Sequence, residues 1–322
     1  MPALADLYEP IAADLQRVCR TFEDELFSDL PVVNDLCDQI RRFRGKLLRP
    51  ALLLLSGRAC GRTTDEHITL AAVVEMVHMA TLVHDDVLDE ADMRRRSPTI
   101  NRLRGNEAAV LLGDYLISHA FHLCSSLDST HAARAVAAIT NIVCEGELQQ
   151  VHHRGRHDLS VEQYLEIIHR KTAALTGLSC MLGATFAGAD RVTVRALERF
   201  GLDAGMAFQI IDDALDIDGS EEQMGKTLGR DLAEGKLTLP VIHSLQHGDR
   251  EHRARLQACL AAEEPDRAVL RRLLEETGSL AAARASAAAY VRSATDALGI
   301  LPPGAARDAL ARLAGMIVDR RS

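Results

Sequence analysis

The 322-residue chain contains no tryptophan, and aromatic residues make up only 3% of it. Proteins that bind single-stranded nucleic acid stack bases on aromatic side chains, and proteins that bind any nucleic acid need positive charge. This chain is acidic, with a formal net charge of -9. We therefore expect no nucleic-acid partner, and a phosphate-bearing ligand would have to be bound by local groups of basic residues.

Paired cysteines and long hydrophobic runs are also missing. The seven cysteines are scattered without a C-x-x-C pair, which indicates reduced thiols instead of disulfides or structural zinc. Apolar runs such as 68–83 are short and interrupted by Glu75 and His78, so no transmembrane segment is predicted. The first ten residues carry acids where a secretory signal would be basic, so a cytoplasmic protein is expected.

The chain is rich in residues that build helices. Hydrophobic residues make up 47% of it, and they recur three or four positions apart instead of alternating. This pattern predicts an all-α protein, which we expect to form a single domain over residues 1–322. Ser160 and Gln163 fit a capping box, and Gly201 indicates either a helix break or close packing within one helix. The predicted helices span residues 2–28, 33–43, 48–59, 66–90, 105–126, 130–151, 160–187, 191–218, 237–246, 251–262, 265–277, 279–298 and 303–319.

A polar stripe runs along the predicted helix 66–90. Its members are three or four positions apart and share one helix face: Glu75, His78, Thr81, Asp85 and Asp89. Because the rest of the upstream helix is almost wholly apolar, the stripe is typical of a polar cavity inside a helical bundle. Asp85 and Asp89 bring two carboxylates close together, with Asp86 beside them, and a divalent cation such as Mg²⁺ would relieve their repulsion. An acidic helix end on the surface explains this motif alone equally well.

A second copy of the motif favours the metal site. Residues 208–218 contain Asp212, Asp213 and Asp216 in the same D-D-x-x-D spacing, and Gln209 precedes Asp212 by one turn. Two such motifs could hold several Mg²⁺ ions around a diphosphate, because Mg²⁺ prefers a few carboxylates combined with substrate phosphate oxygens. The basic residues that suit such a polyanion follow the two motifs: Arg94, Arg95, Lys226, Arg230 and Lys236.

From residue 45 to 240 the chain resembles the trans (head-to-tail) isoprenyl diphosphate synthases, or polyprenyl synthetases. The resemblance includes both aspartate-rich motifs and these further segments: Gly45-Lys46-Leu47-Leu48-Arg49-Pro50, Glu75-Met76-Val77-His78, Arg94-Arg95, Gly113-Asp114-Tyr115-Leu116, Gly146-Glu147-Leu148-Gln149, Lys171-Thr172, Phe208-Gln209 and Gly225-Lys226 through Asp231 to Pro240. It implies the isoprenoid synthase fold, in which antiparallel helices surround a deep central cavity with the two motifs facing each other at its mouth. It also implies a homodimer.

The resemblance assigns roles to the matching residues. The principal Mg²⁺ ligands would be Asp85, Asp89 and Asp212, with Asp86, Asp213 and Asp216 supporting them around about three ions and a bound diphosphate. The allylic diphosphate would be held by Arg94, Lys171, Lys226 and Lys236. The diphosphate of isopentenyl diphosphate would be held by Lys46, Arg49, His78 and Arg95. Thr172 and Gln209 would lie near the allylic carbon, and Phe208 would form part of the wall beside isopentenyl diphosphate.

The implied reaction is ionisation of an allylic diphosphate, attack by the double bond of isopentenyl diphosphate and loss of a proton, with no side-chain nucleophile. Two positions depart from the family pattern. Leu47 occupies a position that is often basic in the family, and Arg96 stands where glycine is usual. Short-chain members often have aromatics four or five residues before the first Asp. Here those positions are Thr81 and Ala80, which favours a hexaprenyl to decaprenyl product, although Met76 could close the shaft deeper down.

Several alternatives stay open at this stage. The main one is a geranylgeranyl or farnesyl diphosphate synthase, and a non-catalytic partner subunit of a heteromeric synthase is less favoured because the aspartates are intact. A terpene cyclase would not need Lys46, Arg49 and His78. Residues 219–227 resemble a phosphate-binding loop, but they have one residue too many between the glycines and follow an acidic helix. The histidines of residues 152–157 favour a solvated loop over a metal site.

Overall fold

The computed structural model describes residues 4–42, 45–94, 97–219, 229–262 and 266–319. α-Helices account for most of them and confirm the predicted all-α class. The helices are α1 (Leu4–Tyr8), α2 (Ala12–Glu25), α3 (Pro31–Arg42), α4 (Leu48–Ala59), α5 (Asp65–Leu88), α6 (Ile100–Arg104), α7 (Asn106–Ser125), α8 (Thr130–His153), α9 (Val161–Ile168), α10 (Ala174–Phe186), α11 (Arg191–Asp218), α12 (Arg230–Ala233), α13 (Leu239–His247), α14 (Arg250–Leu260), α15 (Arg267–Glu276), α16 (Ser279–Ala297) and α17 (Ala305–Val318).

Short elements of other kinds connect some of these helices. Glu9–Ile11 and Leu298–Ile300 are 3₁₀ turns, and His169–Ala173 is a π-helical turn between α9 and α10. Two short strands, β1 (Met93–Arg94) and β2 (Ser97–Pro98), form an antiparallel ribbon in which Met93 lies opposite Pro98. Neither this ribbon nor the π turn was predicted from the sequence.

The chain forms two compact units. The first comprises Met1–Asn141, Leu175–Gly201 and Ala297–Leu313, and the second comprises Ile142–Ala174, Leu202–Asp296 and Ala314–Ser322. The single domain that we expect over residues 1–322 stays a prediction.

Helix α5 is the centre of the first unit, where it packs against α2, α4 and α7. It is long and apolar enough to cross a membrane, but 72% of its most apolar window is buried inside the protein. Its apolar residues therefore belong to the protein core, which explains the hydrophobic stretch in this part of the sequence.

Two glycines bring helices of the first unit into close contact. A Cβ atom on Gly183 of α10 would lie 2.2 Å from the carbonyl oxygen of Leu53 in α4, and one on Gly201 of α11 would lie 2.5 Å from the carbonyl oxygen of Thr176. Both distances are shorter than a van der Waals contact, so neither position accepts a side chain without moving backbone. Of the two interpretations of Gly201, close packing within one continuous helix is confirmed.

The second unit has two apolar clusters. One gathers buried residues of α9, α11, α13 and α16, including Ile168, Ile210 and Leu215, and the other joins α13, α14 and α15 around Leu256 and Leu274. Helix α9 begins with the predicted capping box: the amide of Gln163 donates to the Ser160 hydroxyl, and the Ser160 amide donates to Gln163 Oε1. These contacts fix where α9 begins, one turn before Tyr164.

Candidate active site

The first aspartate-rich motif lies at the C-terminal end of α5, in the first unit. Asp85 and Asp86 belong to the last turn of the helix, whereas Asp89 is the residue that caps it, with φ -97° and ψ 4°. The helix therefore ends at Leu88, two residues before the predicted end at residue 90. The amide of Asp89 still donates to the carbonyl oxygen of Asp85 at 2.9 Å, so the two carboxylates remain one turn apart.

A Schellman motif closes α5 directly after the aspartates. The amide of Ala91 donates to the carbonyl of Asp86 at 2.9 Å and the amide of Glu90 donates to the carbonyl of Val87 at 3.3 Å. Glu90 occupies the left-handed position of this motif, with φ 47°, where glycine is the usual residue because a Cβ atom is strained there.

Replacing Glu90 by glycine is expected to stabilise the protein. Relief of the left-handed strain, about 1–2 kcal/mol, exceeds the entropic cost of glycine, about 0.5–1 kcal/mol. We expect the free energy of unfolding in urea to rise by roughly 0.5–1 kcal/mol. Glu90→Ala keeps the strain and serves as the control; if it stabilises the protein as much as Glu90→Gly, left-handed strain is not the cause.

Asp86 is the buried member of the first motif, and its carboxylate is already bound within the protein. Arg94 on β1 donates from Nε to Asp86 Oδ1 at 2.8 Å, and Asn101 on α6 donates to the backbone carbonyl oxygens of Asp86 and Ala91. Arg94 and Arg95 are both predicted to bind a diphosphate group, and Arg94 thus contacts the aspartate-rich motif itself. Arg95 lies outside the described residues.

The polar stripe upstream on α5 is partly buried. Glu75 is 4% exposed and Ala80 is fully buried, whereas His78, Thr81, Asp85 and Asp89 are all half-buried. The Thr81 hydroxyl donates to the carbonyl of His78 at 2.8 Å. Thr81, rather than Ala80, is therefore the accessible residue of the pair predicted to influence chain length.

The predicted ligands for isopentenyl diphosphate at the start of α4 also lie in the first unit. Leu47 precedes α4 in a left-handed conformation with φ 49°. The neighbouring Lys46 is exposed and Arg49 is half-buried, and the carbonyl of Lys46 accepts a hydrogen bond from the Tyr8 hydroxyl at 2.9 Å. The left-handed residue redirects the chain between the two cations.

The second aspartate-rich motif lies near the end of α11, in the second unit. Asp213 and Asp216 are 5% and 3% exposed, whereas Asp212 is half-buried. Asp216 Oδ2 accepts a hydrogen bond from the backbone amide of Asp231 at 3.2 Å. The most accessible carboxylate of this motif is thus the one predicted to be a principal metal ligand.

Asp213 is held by two donors. The Tyr164 hydroxyl donates to its Oδ2 and Gln209 Nε2 donates to its Oδ1, each at 2.7 Å. Burial raises the pKa of Asp213 to about 6, repulsion from Asp212 and Asp216 adds to the rise, and the two hydrogen bonds oppose it. With both oxygens bound within the protein, Asp213 is suited to a supporting role.

The π-helical turn carries two more of the predicted site residues, Lys171 and Thr172. The amide of Ala174 closes the turn on the carbonyl of His169, five residues back. Such turns are frequent at functional sites. Lys171 Nζ lies 2.5 Å from a carboxylate oxygen of Glu147 and donates to Gln150 Oε1 at 2.8 Å, so α8 fixes the lysine in place.

A cavity of about 100 Å³ within the second unit collects these side chains. It brings together five predicted residues: Lys171, Thr172, Gln209, Asp213 and Lys236. Lys236 Nζ is paired with Glu234 at 2.6 Å and its side chain is 8% exposed. Phe208, the predicted wall residue, is partly buried and packs against the apolar cluster of this unit, and its role in the wall stays a prediction. Lys226 lies outside the described residues.

The sequence analysis missed other residues that line this cavity, among them Gln150, Arg154, Tyr164 and Asp231. No motif marks the first three; Asp231 lies inside a segment of the family resemblance but had no role assigned. His153 also lines the cavity, whereas His157 is exposed. The phosphate-loop alternative falls almost wholly on residues 220–227, outside the described part of the chain.

Within the described ranges, no group of three or more His, Cys, Asp or Glu side chains is placed to hold a metal ion by itself. Mg²⁺ usually binds to one or two carboxylates and completes its shell with water and substrate phosphates. Half-buried Asp85, Asp89 and Asp212 fit this chemistry, because each is a hard oxygen ligand that is partly accessible to solvent.

Comparison with known proteins identifies the class. The family model named Polyprenyl synthetase matches residues 30–277, and the chain belongs to this family. It is a trans-prenyltransferase with the all-α isoprenoid synthase fold.

Individual relatives match nearly the whole chain. Octaprenyl diphosphate synthase of Escherichia coli is 36% identical over 98% of this chain and 99% of its own. The crystal structure of a decaprenyl diphosphate synthase from Rhodobacter capsulatus has a TM-score of 0.94 at 33% identity, covering 99% of this chain and 100% of the other. A polyprenyl synthase from Caulobacter crescentus, solved with calcium and isoprenyl diphosphate, has a TM-score of 0.93 at 35% identity, covering 99% and 98%.

Proposed function

We propose that the chain condenses isopentenyl diphosphate with an allylic diphosphate and makes an all-trans polyprenyl diphosphate of medium or long chain, from hexaprenyl to decaprenyl. The octaprenyl and decaprenyl relatives support this range over a geranylgeranyl or farnesyl product. The observation that carries the proposal is the cavity of the second unit, where two lysines lie beside the hydrogen-bonded side chains of Thr172, Gln209 and Asp213.

The lysines of this cavity bind the allylic diphosphate. Lys171 and Lys236 are each paired with a glutamate, Glu147 and Glu234, which holds the ammonium groups in position until the diphosphate binds. Their positive charge stabilises the diphosphate as it leaves and so favours ionisation of the allylic C–O bond. The cavity is also lined by apolar side chains, which exclude water from the cation that forms: Leu159, Ile167, Ile168 and Leu237.

The metal in this proposal is Mg²⁺, supported by the calcium and isoprenyl diphosphate in the Caulobacter crescentus structure. Asp85, Asp89 and Asp212 would hold it, with Asp86, Asp213 and Asp216 as supporting residues around a family complement of about three ions. When bound, Mg²⁺ supplies positive charge that draws electron density from the diphosphate. In the first unit, we assign the diphosphate of isopentenyl diphosphate to Lys46, Arg49, His78 and Arg95.

The test of the proposed function is consumption of labelled isopentenyl diphosphate. Protein stripped of divalent ions with EDTA should be inactive, and added Mg²⁺ should restore turnover only when geranyl, farnesyl or geranylgeranyl diphosphate is present. Turnover without an allylic primer, or the same turnover with and without metal, would contradict the proposal.

Product length is expected to shorten when Thr81 is replaced by phenylalanine. Thr81 is half-buried on the polar side of α5, so a bulky ring there would block a shaft that runs past this face. We expect the main product of Thr81→Phe to lose at least one isoprene unit, measured by mass analysis of the dephosphorylated products. Thr81→Val keeps the size and should leave the length unchanged; an unchanged length in Thr81→Phe would show that the shaft does not pass this residue.

We also propose a cytoplasmic homodimer. Exposed apolar side chains on α6 and α7, Leu103, Val110 and Leu111, support an interface on the first unit. All seven cysteines are free thiols, as in proteins of a reducing compartment. Light scattering of the purified protein measures the oligomeric state.

A further inference from the structure

Four side chains that line the cavity of the second unit form one chain of hydrogen bonds. Tyr164 donates to Asp213 Oδ2 at 2.7 Å, Gln209 Nε2 donates to Asp213 Oδ1 at 2.7 Å, and Thr172 Oγ1 donates to Gln209 Oε1 at 2.9 Å. Tyr164 is 3% exposed and Asp213 is 5% exposed, so this pair is largely buried.

The chemistry of these groups fixes the direction of every bond. A carboxylate only accepts hydrogen bonds, so Asp213 requires Gln209 to point its amide nitrogen toward it. The flipped amide would place two acceptor oxygens 2.7 Å apart, which is repulsive. With the nitrogen assigned to Asp213, the amide oxygen of Gln209 must face Thr172.

Thr172 then has a single possible orientation for its proton. Gln209 Oε1 carries no hydrogen, so the Thr172 hydroxyl is the donor in their bond. Its one proton is used there. What Thr172 offers to the cavity, which Lys171 and Lys236 also line, is the lone-pair side of its oxygen, the negative end of the hydroxyl dipole.

Tyr164 holds the buried end of this arrangement. The Asp213 carboxylate can only accept a hydrogen bond, so the Tyr164 hydroxyl is the donor in their 2.7 Å contact. Without this donor, Asp213 Oδ2 would lose its partner in a buried position, and the carboxylate would be free to turn away from Gln209.

We infer that Tyr164 is a positioning residue for ionisation of the allylic substrate, a role that rests on the proposed function. By fixing Asp213, it sets the amide of Gln209 and so directs the Thr172 proton to Gln209 Oε1. The Thr172 oxygen then faces the positive charge that develops on the allylic carbon, and its dipole stabilises that charge without rearrangement.

The test is a double-mutant cycle that combines Tyr164→Phe with Thr172→Val. Tyr164→Phe keeps the ring within its apolar cluster and removes only the hydroxyl. We expect kcat to fall about tenfold to a hundredfold, with KM for farnesyl diphosphate changed less than about threefold, because Lys171 and Lys236 remain in place. In the Thr172→Val background, where the hydroxyl is absent, the same change at Tyr164 should have almost no further effect.

Additive effects of the two substitutions, or a wild-type kcat in Tyr164→Phe, would overturn the inference. Tyr290→Phe removes a hydroxyl from the same unit outside the chain of hydrogen bonds, and is expected to leave kcat unchanged. If circular dichroism shows that Tyr164→Phe does not fold, Gln209→Met breaks the next link and takes its place in the cycle. Failure of the wild-type protein to elongate any primer would defeat the proposed function itself, which the same assay reports separately.

Discussion

Replacing Asp85 or Asp212 by alanine is expected to lower turnover roughly a thousandfold while the fold survives, because several kcal/mol of charge stabilisation at the diphosphate would be lost. In each aspartate-rich motif the structure separates the carboxylates into two kinds. Asp86, Asp213 and Asp216 are buried, whereas Asp85 and Asp212 are half-buried and thus accessible to a metal ion and the substrate.

The measurement is kcat at saturating Mg²⁺ and substrates, with circular dichroism and a thermal melt to check folding. Asp92 is a suitable control, because it is exposed, lies three residues from Asp89 and is outside the motif. Asp92→Ala should keep at least about half of the wild-type turnover, as expected for a surface substitution. Near-normal turnover in both the Asp85 and Asp212 variants would refute the assignment of metal ligands.

Replacing Gly146 by alanine is expected to damage both activity and stability. A Cβ atom at this position of α8 would lie 2.7 Å from Arg170 Cβ and 2.8 Å from the backbone nitrogen of Lys171. Backbone cannot yield as a flexible side chain does, so the π-helical turn must move and carry Lys171 and Thr172 with it. We expect a loss of about 1–3 kcal/mol of stability and, since misplacement by about 1 Å can cost a hundredfold, a similar loss of kcat.

Gly315→Ala is the matched control for this prediction. Gly315 lies in α17, and a Cβ atom there would meet nothing within 4 Å. Alanine should therefore stabilise the helix by about 0.5–1 kcal/mol with no effect on turnover. If Gly146→Ala behaves like Gly315→Ala, then the contact between α8 and the π turn does not position the active-site residues.

Local sequence patterns predicted most of the fold. Helices 48–59 and 191–218 have the predicted bounds, because hydrophobic periodicity and end signals act over a few residues. The predicted helix 2–28 is instead divided by a 3₁₀ turn that contains Pro10. Proline cannot donate the helical hydrogen bond. The interruption at Pro10 could therefore have been predicted from the sequence.

The candidate site was only partly predictable. The aspartates and lysines belong to sequence motifs, so they could be recognised as site residues from the sequence. Tyr164 and the π turn had no such signal. The importance of Tyr164 comes from its contact with Asp213, 49 residues away in sequence, and that of the π turn from its contact with Gly146 on another helix. Tertiary contacts of this kind leave no periodic pattern.

This trans-prenyltransferase is expected to make medium or long chains. The most direct test is incubation of the purified protein with Mg²⁺, labelled isopentenyl diphosphate and each of three primers, geranyl, farnesyl and geranylgeranyl diphosphate, followed by mass analysis of the dephosphorylated products. We expect all-trans chains of hexaprenyl to decaprenyl length. Products that stop at farnesyl or geranylgeranyl, or no elongation of any primer, would contradict it.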